Sequence, residues 1–337
     1  MKVFKEADAE RWDDIVASSV NGTLYHTWEW LKIVEKHSQS KLFPLVFFNS
    51  KDDVPFGAIP LFYTRRFGVK MVFSPPPGSA ITLGPILLNK GYKQHKFELA
   101  YLDFQAAIDK FINRLGVDYT FISTSPKLLD IRPFTWAHYN VSPCYTYLID
   151  LNQGKEAIWN NLRKNTRRDI TIAQKKGVKI HEQTDITSLD YVYDTSAERY
   201  SQQKIRFPLG KDYLLDLFQT FGINKHAIRI FVAISEKQIV TALACIEYKD
   251  TLAAWMGGTR TQISALEANK LLYWEAITWA IDNQYKWFEL MGANTRHLCD
   301  FKSMFGPAVS ICFSIKKTNL LGNLAEKAYF LMKKRVF

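Results

Sequence analysis

The chain has 337 residues, 47% of them hydrophobic and 23% charged, a folded protein's composition that excludes disorder and has room for two domains or one large one at roughly 100–200 residues each. Against 33 Asp and Glu stand 44 Lys and Arg, a formal net charge of +11, which favours anionic partners such as nucleic acid, phosphorylated substrates or anionic lipid without choosing among them. Cys144, Cys245, Cys299 and Cys312 lie far apart, with no CxxC pair and no clustered His, so neither a zinc site nor a disulfide framework is indicated and no metal is expected.

Such cysteine usage points to a reducing, cytoplasmic setting. The first residues show no signal-peptide apolar region, and no stretch reaches about 18 uninterrupted apolar residues, which adds to that expectation. Aromatic residues make up 14%, a share that calls for large cores or aromatic-lined clefts. Among the first of them, Trp28 and Trp30, with Tyr25, are expected to pack an N-terminal helix rather than stack a base. His26, His37 and His138 read as core or rim residues rather than ligands.

Apolar, β-branched and aromatic runs at 42–48, 56–63 and 69–73 predict an antiparallel meander, with a polar segment at 49–55 and a turn at Arg65-Arg66-Phe67-Gly68. Ser74-Pro75-Pro76-Pro77-Gly78 breaks the pattern. Residues 97–115 then carry helical spacing (Leu99, Leu102, Ala106, Ile108, Ile112), and 117–122 read as a further strand. The second half repeats this order: 228–234, 239–248 and 252–256 form a meander, with Lys249-Asp250 as its second turn. The following helix opens on Ser264-Ala265-Leu266-Glu267, which fits a capping box, and runs to about Asn283 before a strand at 287–291. Corresponding elements are offset by roughly 170–185 residues, so the fold class is α/β with mixed sheets, a tandem duplication of one meander–helix–strand unit. The expected domains are residues 1–148 and 149–337, joined near 145–152, the second ending in a C-terminal amphipathic helix.

The sequence has no GxSxG elbow, HExxH pair, Walker A loop or GxGxxG. Gln174-Lys175-Lys176-Gly177-Val178-Lys179 keeps only the first half of the Arg/Gln-x-x-Gly-x-Gly/Ala loop that cradles the pyrophosphate of coenzyme A, so coenzyme A binding of the usual kind is not expected. The strongest charge feature is the stretch 163–179, with seven bases against one acid. On a continuous helix Arg163 with Arg167, and Lys164 with Arg168, are i,i+4 pairs on one face, while Ile158, Leu162 and Ile170 supply an apolar stripe. Like charges so placed repel unless an anion sits among them, or unless the helix is simply solvated.

Residues 297–307 follow the last strand of the second half, at the sheet edge where α/β folds present ligands. Lys302 there is either a donor to an oxyanion or phosphate, or an ordinary loop lysine. Finally, Leu320, Leu321, Leu324, Ala328 and Leu331, with Lys327, Lys333, Lys334 and Arg335, form a basic amphipathic helix pattern. Docking on the protein's own body is expected of it, with contact to an anionic membrane as the alternative.

The run Lys164-Asn165-Thr166-Arg167-Arg168-Asp169-Ile170, followed by Ala173 and Lys176-Gly177-Val178, resembles a segment of the FemABX family, aminoacyltransferases of the GNAT superfamily that build peptidoglycan cross-bridges. The likeness extends to Gly22-Thr23-Leu24-Tyr25-His26-Thr27-Trp28-Glu29-Trp30, Gly57-Ala58-Ile59-Pro60, Leu272-Tyr273-Trp274-Glu275-Ala276-Ile277, Phe288-Glu289-Leu290-Met291-Gly292, and Phe301-Lys302 with Phe305-Gly306. It covers most of the chain and implies two GNAT-like domains. It also implies a catalytic Lys302 beside the transferred acyl group, with Phe301 next to it, and Lys164, Arg167 and Arg168 near substrate phosphates. The implied donor is aminoacyl-tRNA or an acyl-CoA, with no resident cofactor. The implied acceptor is an amine on a phosphate-bearing, possibly lipid-linked, cell-wall or envelope precursor. The helical arm of some members has no room in residues 180–226, where helical patterns cover only about 189–200 and 213–221, so tRNA dependence stays open. The general base is left unassigned among Asp300, Glu247, Glu289 and a phosphate on the substrate itself. A CoA-dependent N-acyltransferase and a non-catalytic protein binding RNA or anionic lipid are the alternatives.

Overall fold

In the computed structural model, which describes residues 4–6, 8–49, 54–88, 91–204, 206–259 and 266–335, the chain divides into two units, Met1–Cys144 with Ile311–Phe337, and Tyr145–Ser310. The first unit opens with β1 (Phe4–Glu6), α1 (Ala9–Ser18) and α2 (Trp28–Ser38). Asp8 starts α1 by accepting the Arg11 amide at 2.9 Å. Helix α2 buries Trp30, Leu31 and Val34 along one stripe. Trp30 meets Tyr25 edge-to-face at 5.1 Å, and buried His26 bonds Thr23, so these are packing residues as the sequence predicts.

Strands β2 (Lys41–Asn49), β3 (Val54–Arg66) and β4 (Val69–Ser74) form the predicted meander, with Leu45 opposite Ile59 and Phe62 opposite Phe73. A short β5 (Ile86–Leu87) adds to β3. Helix α3 (Gln94–Leu115) ends at Gly116, in the left-handed conformation at φ +62°. Its core face keeps Ile108 and Ile112 of the predicted spacing but not Leu99 or Leu102. Tyr101, Phe104, Ile108 and Ile112 are buried, whereas Leu99 and Leu102 are exposed, because the ring of Phe104 packs against Phe47 and Phe56 on the sheet. Strand β6 (Tyr119–Ser123) then joins β4 in parallel, and α4 (Arg132–Trp136) follows.

Strand β7 (Asn140–Asp150) leads into the second unit. There follow α5 (Lys155–Asn161), α6 (Lys164–Lys175), β8 (Lys179–Glu182), α7 (Ile186–Gln202), α8 (Lys211–Leu217), β9 (Ile228–Ser235), β10 (Gln238–Tyr248), β11 (Thr251–Thr259), α9 (Leu266–Asp282), β12 (Trp287–Glu289) and α10 (Arg296–Lys302). The strand order is β7-β12-β11-β10-β9-β8, antiparallel throughout except for the parallel β11–β12 pair that α9 bridges. Meander, helix and parallel strand thus recur in both units, giving the mixed sheets and duplicated plan expected of the sequence. The capping box expected at Ser264-Ala265 lies outside the described residues. Helix α9 is apolar on most sides, and α6 packs into the same core through Ile170 and Ala173.

The chain closes with β13 (Ala308–Thr318) and α11 (Leu320–Arg335). Strand β13 pairs antiparallel with β6, which is why residues 311–337 group with the first unit, where the sequence reading has 149–337 as one domain. Helix α11 docks on the first unit as expected, but not through the predicted apolar stripe. Its leucines do not meet the protein: Leu320, Leu321, Leu324 and Leu331 are exposed. Gly322 faces inward instead, so close that an added Cβ would lie 2.1 Å from the Asp118 carbonyl oxygen. On the same side Glu326 accepts from Lys316 at 2.9 Å and from the Tyr119 hydroxyl at 3.1 Å. Polar anchoring and a glycine that permits close approach outrank the apolar stripe. Among the described residues no helix is long and apolar enough to cross a membrane.

Candidate active site

Strands β11 and β12 are in register only over Thr251–Trp287, Leu252–Phe288 and Ala253–Glu289. Beyond that point they part. β11 runs on to Thr259, while the chain past β12 turns towards β7, the Leu290 amide bonding the Tyr147 carbonyl and the Ala293 amide that of Tyr145. Met291 and Gly292 both take left-handed backbone, at φ +53° and +47°. Lys302, at the end of α10, donates its Nζ to the Met291 carbonyl at 2.5 Å and to the Gly292 carbonyl at 3.3 Å. Arg199, on α7, donates Nη2 to the Gly257 carbonyl on β11 at 3.2 Å.

Each cation has a local reason for its position. Lys302 is held because Phe301 packs edge-on to Tyr273 at 5.2 Å, and Phe305, fully buried, meets the same ring at 5.4 Å. Phe301 therefore anchors the segment through packing. Arg199 is held because α7 lies against β11 at Gly258, where an added Cβ would sit 1.9 Å from Thr195 Oγ1. Only glycine allows that approach, and Arg199 lies one turn beyond Thr195. Burial, then the charge of Arg199, bring the Lys302 ammonium down to about 8, against the opposing pull of Cys299 and Glu289. Burial pushes the Tyr273 hydroxyl up, so it stays a neutral donor.

The three carboxylates proposed as bases occupy different surroundings. Glu247 is bound to Arg229 at 3.1 Å and to the Tyr285 hydroxyl, a structural network inside the sheet. Asp300 is exposed. Glu289 accepts from Thr146 at 2.7 Å and lies within electrostatic reach of Lys302. Among the described residues no cluster of His, Cys, Asp and Glu is arranged to hold a metal ion.

The basic segment departs from a continuous helix. Leu162 and Arg163 are extended (ψ 142° and 137°), so α5 and α6 are separate and Arg163 is the cap of α6 rather than a member of it. The break does not disturb the predicted stripe, since Ile158, Leu162 and Ile170 are all buried. It does move Lys164, Arg167 and Arg168 into the first turns of α6, at the positive end of its dipole, where cations are disfavoured. Lys164 and Arg168 are exposed; Arg168 reaches Asp169 at 3.3 Å, and Asp169 pairs with Lys270 at 2.5 Å. Arg167 is half-buried, 3.5 Å from Asn160. The Lys302 segment returns to this place. The Arg163 amide donates to the Met304 carbonyl at 2.9 Å, and Gly306, at φ +68°, sits against Asn161.

Residues 160–303, which include the opening and both cation groups, match the family model described as an acetyltransferase (GNAT) domain. The chain carries a GNAT acyltransferase domain. Over nearly its full length it is similar to the crystal structure of FemX, with a TM-score of 0.69 at 9% identity, covering 93% of this chain and 96% of that one. The C-terminal domain of a putative lysylphosphatidylglycerol synthetase from Agrobacterium fabrum aligns with a TM-score of 0.57 at 14% identity over 96% of each chain. A tandem GNAT protein from the clavulanic acid biosynthesis pathway aligns at 0.52, with 11% identity, over 94% of this chain and 97% of that one. At such identities the likeness establishes the fold, here the tandem GNAT-like fold expected from the FemABX resemblance. No curated protein matches the sequence.

The sequence reading reached Lys302 but not Arg199 or Tyr273. Their signal was the Gly257-Gly258 pair near the end of a strand, which marks a close approach of backbone and neighbour.

Proposed function

We propose that the opening between β11 and β12 is an acyl-transfer site, and that the chain moves an aminoacyl group from aminoacyl-tRNA to an amine on a phosphate-bearing envelope precursor. The observation that carries this reading is the Lys302 ammonium, held by two backbone carbonyls where the strands part. An acceptor amine attacking the ester carbonyl forms the new C–N bond and leaves an oxyanion. The Lys302 ammonium is the donor available to it, and one positioned donor is typically worth about 10²–10³ in rate. Glu289 is the nearby carboxylate suited to take the amine's proton, which passes to the departing ribose oxygen as the C–O bond breaks.

Support for a polyanionic donor comes from Lys164, Arg167 and Arg168, crowded at the start of α6 next to the Lys302 segment, and from the net charge of +11. The name lysylphosphatidylglycerol synthetase, carried by one structural neighbour, describes an aminoacylated phospholipid and agrees with an acceptor bearing phosphate. Charged tRNA as donor places the reaction in the cytoplasm. A CoA-dependent N-acyltransferase is the second reading, favoured by the match to an acetyltransferase domain model.

The test is to offer purified protein aminoacyl-tRNA and acetyl-CoA in parallel, each carrying a labelled acyl group, with a mixture of envelope precursors as acceptor. Label passing from aminoacyl-tRNA in the wild type and not in Lys302→Met supports the proposal. Label passing only from acetyl-CoA overturns the tRNA reading in favour of the second.

A further inference from the structure

We infer that the first unit carries a docking surface for an anionic lipid bilayer, formed by the outward face of α11 and the turn at Phe67. The inference is independent of the acyl-transfer reading, since it rests on other residues.

Leu320, Leu324 and Leu331 are 84%, 64% and 63% exposed, and they fall within about 40° of one another around the helix. Leu321 and Ala328, both exposed, widen this stripe. The helix cannot roll to bury it. Gly322 sits on the Asp118 carbonyl, and Glu326 is bonded to Lys316 and Tyr119, so rotation would break these contacts and drive a bulkier residue into the place of Gly322. A fixed apolar face of this kind calls for an occupant.

Its charges say which occupant. Lys327 is exposed beside the stripe, and the sequence carries Lys333, Lys334 and Arg335 shortly after it. A second copy on the same face would set these bases against their own counterparts. A bilayer rich in lipid phosphate takes both components, leucines at the acyl boundary and ammonium groups among the headgroups.

A second element repeats the chemistry. The β3–β4 turn presents Phe67 fully exposed, at φ +50°, directly after exposed Arg65 and Arg66. Both elements stand at one end of the unit, because Asp118 ties them together. Its carboxylate accepts the amide of Lys70, three residues past Phe67, at 2.8 Å, and the side-chain amide of Asn319, next to Leu320, also at 2.8 Å. An aromatic tip and a leucine stripe, each rimmed by bases, give two-point attachment.

The experiment is co-sedimentation of the full chain with vesicles of phosphatidylglycerol and phosphatidylcholine, and with phosphatidylcholine alone, at low and high salt. Sedimentation with the anionic vesicles that weakens with salt is expected. Leu324→Ser with Leu331→Ser, and separately Phe67→Ser, are expected to lower partitioning about tenfold or more, from the apolar surface no longer buried. Tm should stay unchanged, since these side chains are solvated. Should a serine variant lose its fold, Lys327→Glu with Lys334→Glu tests the same surface through charge and is expected to abolish the preference for anionic vesicles. Failure of the wild type to sediment with anionic vesicles overturns the inference, as does undiminished binding in folded variants. A wild-type dimer that Leu324→Ser converts to monomer, without vesicle binding, makes the face a self-interface and overturns it too.

Discussion

Arg199 and Lys302 hold opposite edges of one gap in a sheet: Arg199 binds the Gly257 carbonyl on β11 at 3.2 Å, and Lys302 binds the Met291 and Gly292 carbonyls beyond β12. Two cations facing the same space disfavour each other's charge while the space holds no anion. Negative charge developing between them reverses that balance, which is the condition under which preorganised donors lower a barrier.

Replacing Lys302 by Met should reduce transfer by about 10²–10³-fold while circular dichroism and thermal melting show an intact fold. Because the group loses its proton at about 8, wild-type kcat should fall as pH rises through that value. Stability should move the other way. Unfolded lysine keeps its proton up to the ordinary lysine range, so above about 8 the unfolded state binds more protons than the folded one, and stability rises with pH. Urea titrations from neutral to alkaline pH should show this rise in the wild type and its loss in Lys302→Met.

Arg199→Met should shift the alkaline limb of the rate profile to higher pH, because Lys302 then no longer faces a second cation. A profile with the same midpoint in both proteins would remove Arg199 from the electrostatics of the site and leave it the task of fixing β11.

Alanine at Lys164, Arg167 and Arg168 together should raise KM for a phosphate-bearing substrate and leave kcat close to wild type. Measured against salt, log affinity should lose roughly one unit of slope for each phosphate contact removed. An unchanged KM and slope would make the cluster a solvated surface.

Gly306→Ala should destabilise the protein by about 1–3 kcal/mol, since alanine must adopt left-handed backbone and its Cβ would lie 2.7 Å from the Asn161 carbonyl oxygen. Calorimetry should show a lower Tm, and transfer should weaken with it, because the same segment carries Lys302.

Asp169→Ala removes the partner of Lys270 from a nearly buried ion pair at 2.5 Å. Leaving that ammonium unpaired should cost about 3 kcal/mol in urea denaturation. Burial alone would raise the Asp169 carboxyl; the Lys270 bond and charge hold it below the usual carboxylate range instead. Its contribution is therefore present at neutral pH and lost as pH falls below that range, so wild type and variant should converge in acid.

The meanders were readable because strand and helix periods differ and the turns carry their own residues: Phe67-Gly68 joins β3 to β4, with Arg65 and Arg66 still paired in β3, and Lys249-Asp250 joins β10 to β11. The face of α3 was not, because apolar residues surround it and only the packing of Phe104 on Phe47 and Phe56 selects among them. The break at Leu162–Arg163 was hidden by Ile158, Leu162 and Ile170, which keep helical spacing across it and reach one core from two helices. Lys302 could be reached through its Phe-Lys setting, whereas Arg199 lies in the weakly patterned stretch 180–226 and enters the site only because Gly258 lets α7 approach. Local pattern specifies elements; it does not specify which distant element a glycine admits.

The strand beside β6 comes from the far end of the chain, and this inverts the order in which the two units are completed. During synthesis every strand of the second unit has been made once residue 310 emerges, while the first unit, begun earlier, still lacks β13. Until then β6 presents an unpaired backbone edge of the kind that captures foreign strands. A ribosome stalled between the two events would therefore leave a finished second unit tethered to an unfinished, adhesive first one.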